Sequence, residues 1–200
     1  MSAVVANKPV RFIGIFSIVV GVIMILAGAG VYIYASNTLR AQNMTVSAVT
    51  EEEPGSLAGK PVAGPFTALA QANAINHHSL SATGNRSYSD LGADVGAATA
   101  AAMELVGDDA DLQALVSARD AAGLEEAGAP AEAVELVKQA AADQGLRMGS
   151  ALNGSLLQSA LFTSVMAFGV AVLVMGLGLI LALSGWAFTK IVVPAKAETV

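Results

Sequence analysis

Two long apolar blocks set the pattern of this chain: no charged side chain occurs at residues 12–39, and none at residues 148–189. Each block exceeds the ~20 residues that a helix needs to cross ~30 Å of hydrocarbon. The pattern predicts transmembrane helices at residues 12–34 and 161–186. Aromatic rings stand near their ends, Tyr32 and Tyr34 on the first and Trp186 and Phe188 on the second, where amphipathic rings favour the headgroup layer. A cleaved signal sequence is the competing reading of the first block, with Lys8 and Arg11 as its basic flank and Ile33, Tyr34 and Ala35 imitating a cleavage site. Such a signal has an apolar core of only ~7–15 residues, so this longer run reads as a retained anchor.

Between the blocks the pattern is helical. Residues 36–56 are polar and carry Glu51, Glu52, Glu53, Pro54 and Gly55, the composition of a solvated connector. Residues 61–80 begin with Pro and Gly punctuation and continue as a predicted helix, with Phe66, Leu69, Ala70, Asn73, His77 and Leu80 on one face and Gly84 ending it. A second begins near Ser89 or Asp90 and runs to Val106. A third follows Gly107, capped by Asp108 or Asp109, lined by Leu112, Leu115 and Val116 and closed by Gly123. The fourth starts at Pro130, with Glu132 and Glu135 near its positive end and Val134, Val137 and Ala141 on one side. No strand and hairpin pattern and no internal repeat is visible.

The expected architecture is an all-α membrane protein, two transmembrane helices joined by a mostly helical extracytoplasmic segment. Its parts are a tail at residues 1–11, a span at 12–34, an outer segment at 35–160, a span at 161–186 and a tail at 187–200. Residues 92–145 are rich in Ala and contain no aromatic residue. Alanine buries little area, and at ~25 cal/mol per Å² such a core gains little against the entropy of ordering the chain. The segment is therefore expected to lean on its own membrane helices or on a partner.

Composition agrees with the pattern: 54% of residues are hydrophobic and 13% charged, too apolar for an ordinary soluble domain. Lys8, Arg11, Lys190 and Lys196 flank the spans on the terminal sides, against Arg40 and Arg147 on the connecting segment, which places both termini in the cytoplasm of the cell. Residues 41–160 hold 15 acidic and 5 basic side chains. That balance speaks against nucleic acid and against docking on anionic lipid. There is no cysteine, so disulfides, thiolate metal sites and covalent haem attachment are excluded.

Glycine patterning points to helix packing. Gly14, Gly21 and Gly28 recur every seven residues, which returns a helix to the same face within ~20°. The second block has two such rows, Gly169 with Gly176, and on nearly the opposite side Ser164, Ala171, Gly178 and Gly185. In lipid, small residues mark faces where backbones approach closely. Two rows imply two neighbours: the first span of this chain and a helix from a partner or a second copy.

Candidate chemistry is sparse. Neither span contains Asp, Glu, Lys, Arg or His, the residues that mark ion paths and proton relays. The only histidines are His77 and His78, whose side chains leave a helix ~100° apart and are poorly placed to chelate one ion. Asp108, Asp109 and Asp111 lack the glycine and closing Glu of a calcium loop and read as caps. No nucleophile elbow or phosphate loop occurs. No catalytic residue, metal ligand or cofactor is expected.

Two stretches carry a resemblance: residues 64–91, GPFTALAQANAINHHSLSATGNRSYSDL, and residues 152–179, LNGSLLQSALFTSVMAFGVAVLVMGLGL. They resemble a family of small actinobacterial two-span membrane proteins, matching its pattern at Pro65, Phe66, Asn73, His78, Thr83, Gly84 and Tyr88. In the second stretch the matches are Asn153, Ser155, Phe162, Thr163, Ser164 and the run Met175, Gly176, Leu177. The chain departs from the family in having Gln158 where a basic residue often stands, and residues 92–145 look like an insertion to which nothing carries over. Many family members bear the label of aromatic-ring-opening dioxygenases. Adjacent histidines do not make the iron site of two His and one carboxylate on which that chemistry depends.

In architecture the chain is also similar to small accessory subunits of the respiratory supercomplex that joins a menaquinol:cytochrome c reductase to cytochrome c oxidase. The resemblance implies a non-catalytic accessory or assembly subunit whose partners are other integral membrane subunits and the lipid bilayer. Phe66, Asn73, His78 and Tyr88 are its expected extracytoplasmic contacts. The alternatives are a ligand-binding or sensing membrane protein, weakened by short cytoplasmic tails, and an enzyme, which would require His78 to act in catalysis.

Overall fold

The computed structural model describes residues 4–6, 8–190 and 192–194. Its helices are α1 (Lys8–Ala41), α2 (Pro65–Ala82), α3 (Tyr88–Val106), α4 (Ala110–Ala118), α5 (Ala121–Glu126), α6 (Ala131–Leu146) and α7 (Leu152–Lys190), with a π-helical turn at Arg147–Ala151 between the last two. Strands β1 (Val4–Ala6) and β2 (Val192–Pro194) pair antiparallel, Val5 opposite Val193. The architecture is therefore all-helical but for this short pairing. The chain divides into two compact units, one of Met1–Val46, Lys60–Leu69 and Phe162–Val200, the other of Ser47–Gly59 and Ala70–Leu161.

In the first unit α1 and α7 are long and apolar enough to cross a membrane, and only 17% of the most apolar window of each helix is buried. The core helix of a soluble protein would be mostly covered; these present Phe16, Ile23, Leu26, Leu173, Ile180 and Leu183 outward. Both helices outrun the spans expected from the apolar pattern. The residues expected to open a polar connector at 36–41 are the last turn and a half of α1, because no Gly or Pro interrupts them. The chain leaves the helix only at Asn43, which has a φ of 51°. A bridge between Thr45 and Pro61 then returns the backbone to α1, with the Val46 amide donating to the Lys60 carbonyl and Val62 fully buried.

The second unit makes its own core. Ala102, Val106, Val116, Leu124, Ala133, Val134 and Val137 are buried together, with Met103, Leu112, Leu115 and Leu136 packed against them. Small side chains let backbones pack closely, so each covered alanine still makes dispersion contacts.

Local signals set the ends of these helices. Ser87 and Asp90 form a reciprocal capping box at the start of α3, and Asp109 accepts from the amides of Asp111 and Leu112 to start α4. Three expectations are overturned. Gly123 does not close the third helix: Arg119 ends α4 in the left-handed conformation at φ 58°, and Asp120 caps a separate α5 that contains Gly123. Pro130 is the cap of α6 and not its first residue. On the buried face of α6 Ala140 stands where Ala141 was expected.

The expected apolar face of α2 is also wrong. Phe66, Leu69, Asn73 and His77 are exposed, whereas Ala68, Gln71, Ala72 and Ala74 are buried. The structure buries the small residues, whose lack of bulk permits close approach, and Gln71 is accommodated because its Oε1 accepts from the Ser47 amide at 2.7 Å.

Candidate functional site

The packing between α1 and α7 is built on glycine. Gly14, Gly21 and Gly28 are all buried, and they face Gly185, Gly178 and Ala171 in an antiparallel register that advances by seven residues on each helix. A β-carbon at Gly14 would lie 2.7 Å from the Gly185 carbonyl oxygen, and one at Gly28 the same distance from that of Ala171. Real Cβ atoms do not approach oxygen so closely, so contact at this depth requires glycine. Beyond Gly28 the row continues into Tyr32, whose ring meets buried Phe168 edge to face at 4.8 Å. Farther along, Ser164 and Tyr34 line an open cleft of about 350 Å³ with Thr38, Gln42 and Thr163.

The other row of α7 has different surroundings. Gly169 and Gly176 are exposed, and a β-carbon at either would meet nothing within 4 Å. They look away from α1 toward whatever surrounds the hairpin.

The four expected contact residues sit in unlike environments. Phe66 is 77% exposed. Asn73 is exposed on α2. His78 is also exposed, and its Nε2 donates to the Ala48 carbonyl at 2.8 Å, pinning the connector. The rings of His77 and His78 lie 5.8 Å apart and nearly perpendicular, and no group of His and carboxylate side chains fit to hold a metal exists among the described residues. Tyr88 is half-buried under the Arg147 guanidinium, which stands 4.2 Å from its ring centroid.

Sequence reasoning missed the polar cluster around that pair. Arg86 bridges Asp143 at 2.8 Å and Asp94 at 3.1 Å. Hydrogen bonds to Asp94 and then to Asp143 hold the Arg86 pKa above its already high ordinary value. Asp143 is only 5% exposed. Arg147 lies in the space left by Gly92, where a β-carbon would come within 3.2 Å of its Nε. Arg147 also opens the π-turn, whose Ser150 carbonyl accepts from Ser79 at 2.9 Å. Beside the turn a small cavity of about 70 Å³ is lined by Asn76, Ser79, Tyr88, Ser155 and Gln158, all uncharged. Scarcity was the available signal: Arg86 and Arg147 are two of only five basic residues at positions 41–160.

No protein family, no curated protein and no solved structure matches this chain.

Proposed function

We propose that the chain is a two-span membrane protein, both termini cytoplasmic and residues 35–160 extracytoplasmic, that serves as a non-catalytic accessory or assembly subunit of a larger membrane complex. The observation that carries this reading is the contrast between the two rows of α7: Ala171, Gly178 and Gly185 are filled by α1, while Gly169 and Gly176 stand open on an apolar face. In lipid, helices associate by close packing at small residues, so an open row suits a helix from another subunit. The pairing of β1 with β2 supports termini on one side, and the basic residues at the terminal ends of the spans favour the cytoplasm. A respiratory supercomplex, and with it electron transport, is the favoured host on the resemblance of architecture.

The test is purification of the tagged full chain from its native membrane in mild detergent, with a native gel and mass spectrometry of what accompanies it. Stoichiometric membrane subunits, lost in Gly176→Leu but retained in Gly96→Ala, are the expected result. Recovery of this chain alone sinks the accessory reading. The uncharged cavity beside the π-turn favours a second reading, a small-ligand sensor, since π-turns often mark functional sites; a neutral ligand that stabilises the purified chain alone would support it.

A further inference from the structure

We propose that the first turn of α2, led by Phe66, is an interfacial anchor that seats in the headgroup layer of the bilayer crossed by α1 and α7. The inference rests on the reading of those helices as spans.

Its starting point is an inverted helix turn. Phe66 is 77% exposed and Leu69 38%, while Ala68 between them is fully buried. The turn is not free to roll over and hide its aromatic ring. Thr67 Oγ1 accepts from the amides of Ala63 at 3.0 Å and Gly64 at 3.1 Å. The Val62 amide donates to Met44 and the Ala68 amide to Gly64, each at 2.9 Å. An exposed, fixed phenyl ring in water has no favourable solvent, whereas an interface gives it one.

The level of the turn along α1 is also fixed. Ser36 Oγ donates to the Ala63 carbonyl at 2.6 Å, which sets Ala63 beside the helix turn that follows Tyr34, with Phe66 three residues further on. Tyr34, 74% exposed, is only ~3 Å of helix rise below Ser36. Arg40 is ~6 Å above it. Lys60 precedes Ala63 by three residues, and it and Arg40 are exposed without an ion-pair partner among the described residues. Along the axis of α1 the order is therefore aliphatic helix, then aromatic Tyr34, then the cation Arg40, with Phe66 and Lys60 each three residues from the Ala63 that is bonded at Ser36. That is the order of a bilayer leaflet from hydrocarbon through the glycerol layer to phosphate. A soluble partner would need no such matched sequence, so the occupant of the Phe66 surface is lipid.

The chain has one tryptophan, Trp186, so the double variant Trp186→Phe, Phe66→Trp carries a single indole at the site. The full chain is reconstituted in phosphatidylcholine vesicles containing lipid brominated near either end of the acyl chain. The expected result is blue-shifted emission shielded from acrylamide and quenched roughly twofold more strongly by bromine near the glycerol end, as befits an interfacial ring. Leu69→Trp in the same background should behave alike and guards against a local disturbance by the first substitution. The wild-type chain, read through Trp186, reports whether the helices are inserted. If Trp186 is quenched by brominated lipid and residue 66 reports water, the anchor is overturned and the spanning reading stands. If neither is quenched, both fall. If residue 66 is shielded from acrylamide yet unaffected by bromine, protein covers it and the anchor is again overturned.

Discussion

Gly21 and Gly178 touch backbone to backbone: a β-carbon at Gly178 would lie 2.6 Å from the Gly21 carbonyl oxygen and 3.0 Å from the Ile25 amide nitrogen. Neither neighbour is the movable end of a side chain, so the helices themselves must separate to admit one. Gly178→Leu should therefore destabilise the hairpin by about 1–3 kcal/mol or more, the range of overpacked cores. Gly176→Leu, two residues away and facing open space, should change stability by less than about 0.5 kcal/mol, as exposed substitutions do. Thermal unfolding followed by circular dichroism in one detergent separates the two. Equal melting temperatures would remove the seam as the determinant of this packing.

This division of glycines shows what the sequence discloses and what it hides. The seven-residue spacing of Gly14, Gly21 and Gly28 is visible without coordinates, and the partner row on α7 repeats it. Caps such as Asp109 are equally local and equally readable. The buried face of α2 was not, because alanine is compatible with either side of a helix and the large residues, which usually mark the inside, are here outside. The π-turn leaves no residue signature, since it arises from one extra residue in an otherwise regular ladder. The Arg86 to Asp143 pairing joins residues from distant parts of the chain and exists only once α3 and α6 have packed.

That pairing makes a graded prediction. Arg86 is shared between Asp94, whose side chain is 43% exposed, and Asp143, whose side chain is 7% exposed. Removing the arginine leaves Asp143 as a covered carboxylate with no counter-charge, the costly case. Asp94 by contrast turns to water and loses little. Arg86→Gln should lower the melting temperature by several degrees, Asp94→Asn hardly at all, and Asp143→Asn in the Arg86→Gln background should restore part of the loss. A larger effect from Asp94→Asn than from Arg86→Gln would show that the buried carboxylate is not what the arginine serves.

The capping box of α3 gives a pH dependence with a definite sign. The side-chain hydrogen bond with Ser87 and then the bond from its backbone hold the Asp90 carboxyl below the usual carboxylate range. A lowered folded-state value contributes stability that is complete above the ordinary carboxylate pKa and is lost as pH falls through the lowered one. The start of α3 should loosen below roughly pH 4, seen as faster amide exchange at Asp90 and Leu91. Ser87→Ala should cost about 1 kcal/mol at neutral pH, the worth of a typical N-cap, and should flatten this acid dependence. An unchanged acid profile in Ser87→Ala would mean that other carboxylates set it.

His78 joins helix to connector by one bond, so its loss should be local. Nε2 donates to Ala48, and nearby the Ser47 amide donates to Gln71 Oε1 at 2.7 Å. These two bonds from α2 hold the backbone that leads into Glu51, Glu52 and Glu53, where only the Thr50 hydroxyl, accepting from the Glu53 amide at 2.8 Å, and weak turn bonds at 3.3 and 3.4 Å add support. A protease that cuts after glutamate needs this stretch to open, and its rate follows the open population when opening is fast. His78→Ala should raise cleavage there severalfold while the melting temperature falls by no more than about 6 °C, since an exposed single bond is worth only ~0.5–1.5 kcal/mol. Combining it with Gln71→Ala should raise cleavage further, because both restraints act on adjacent residues of the connector. Cleavage unaffected by His78→Ala would leave the histidine without a structural duty and return it to the set of surface groups available to a partner.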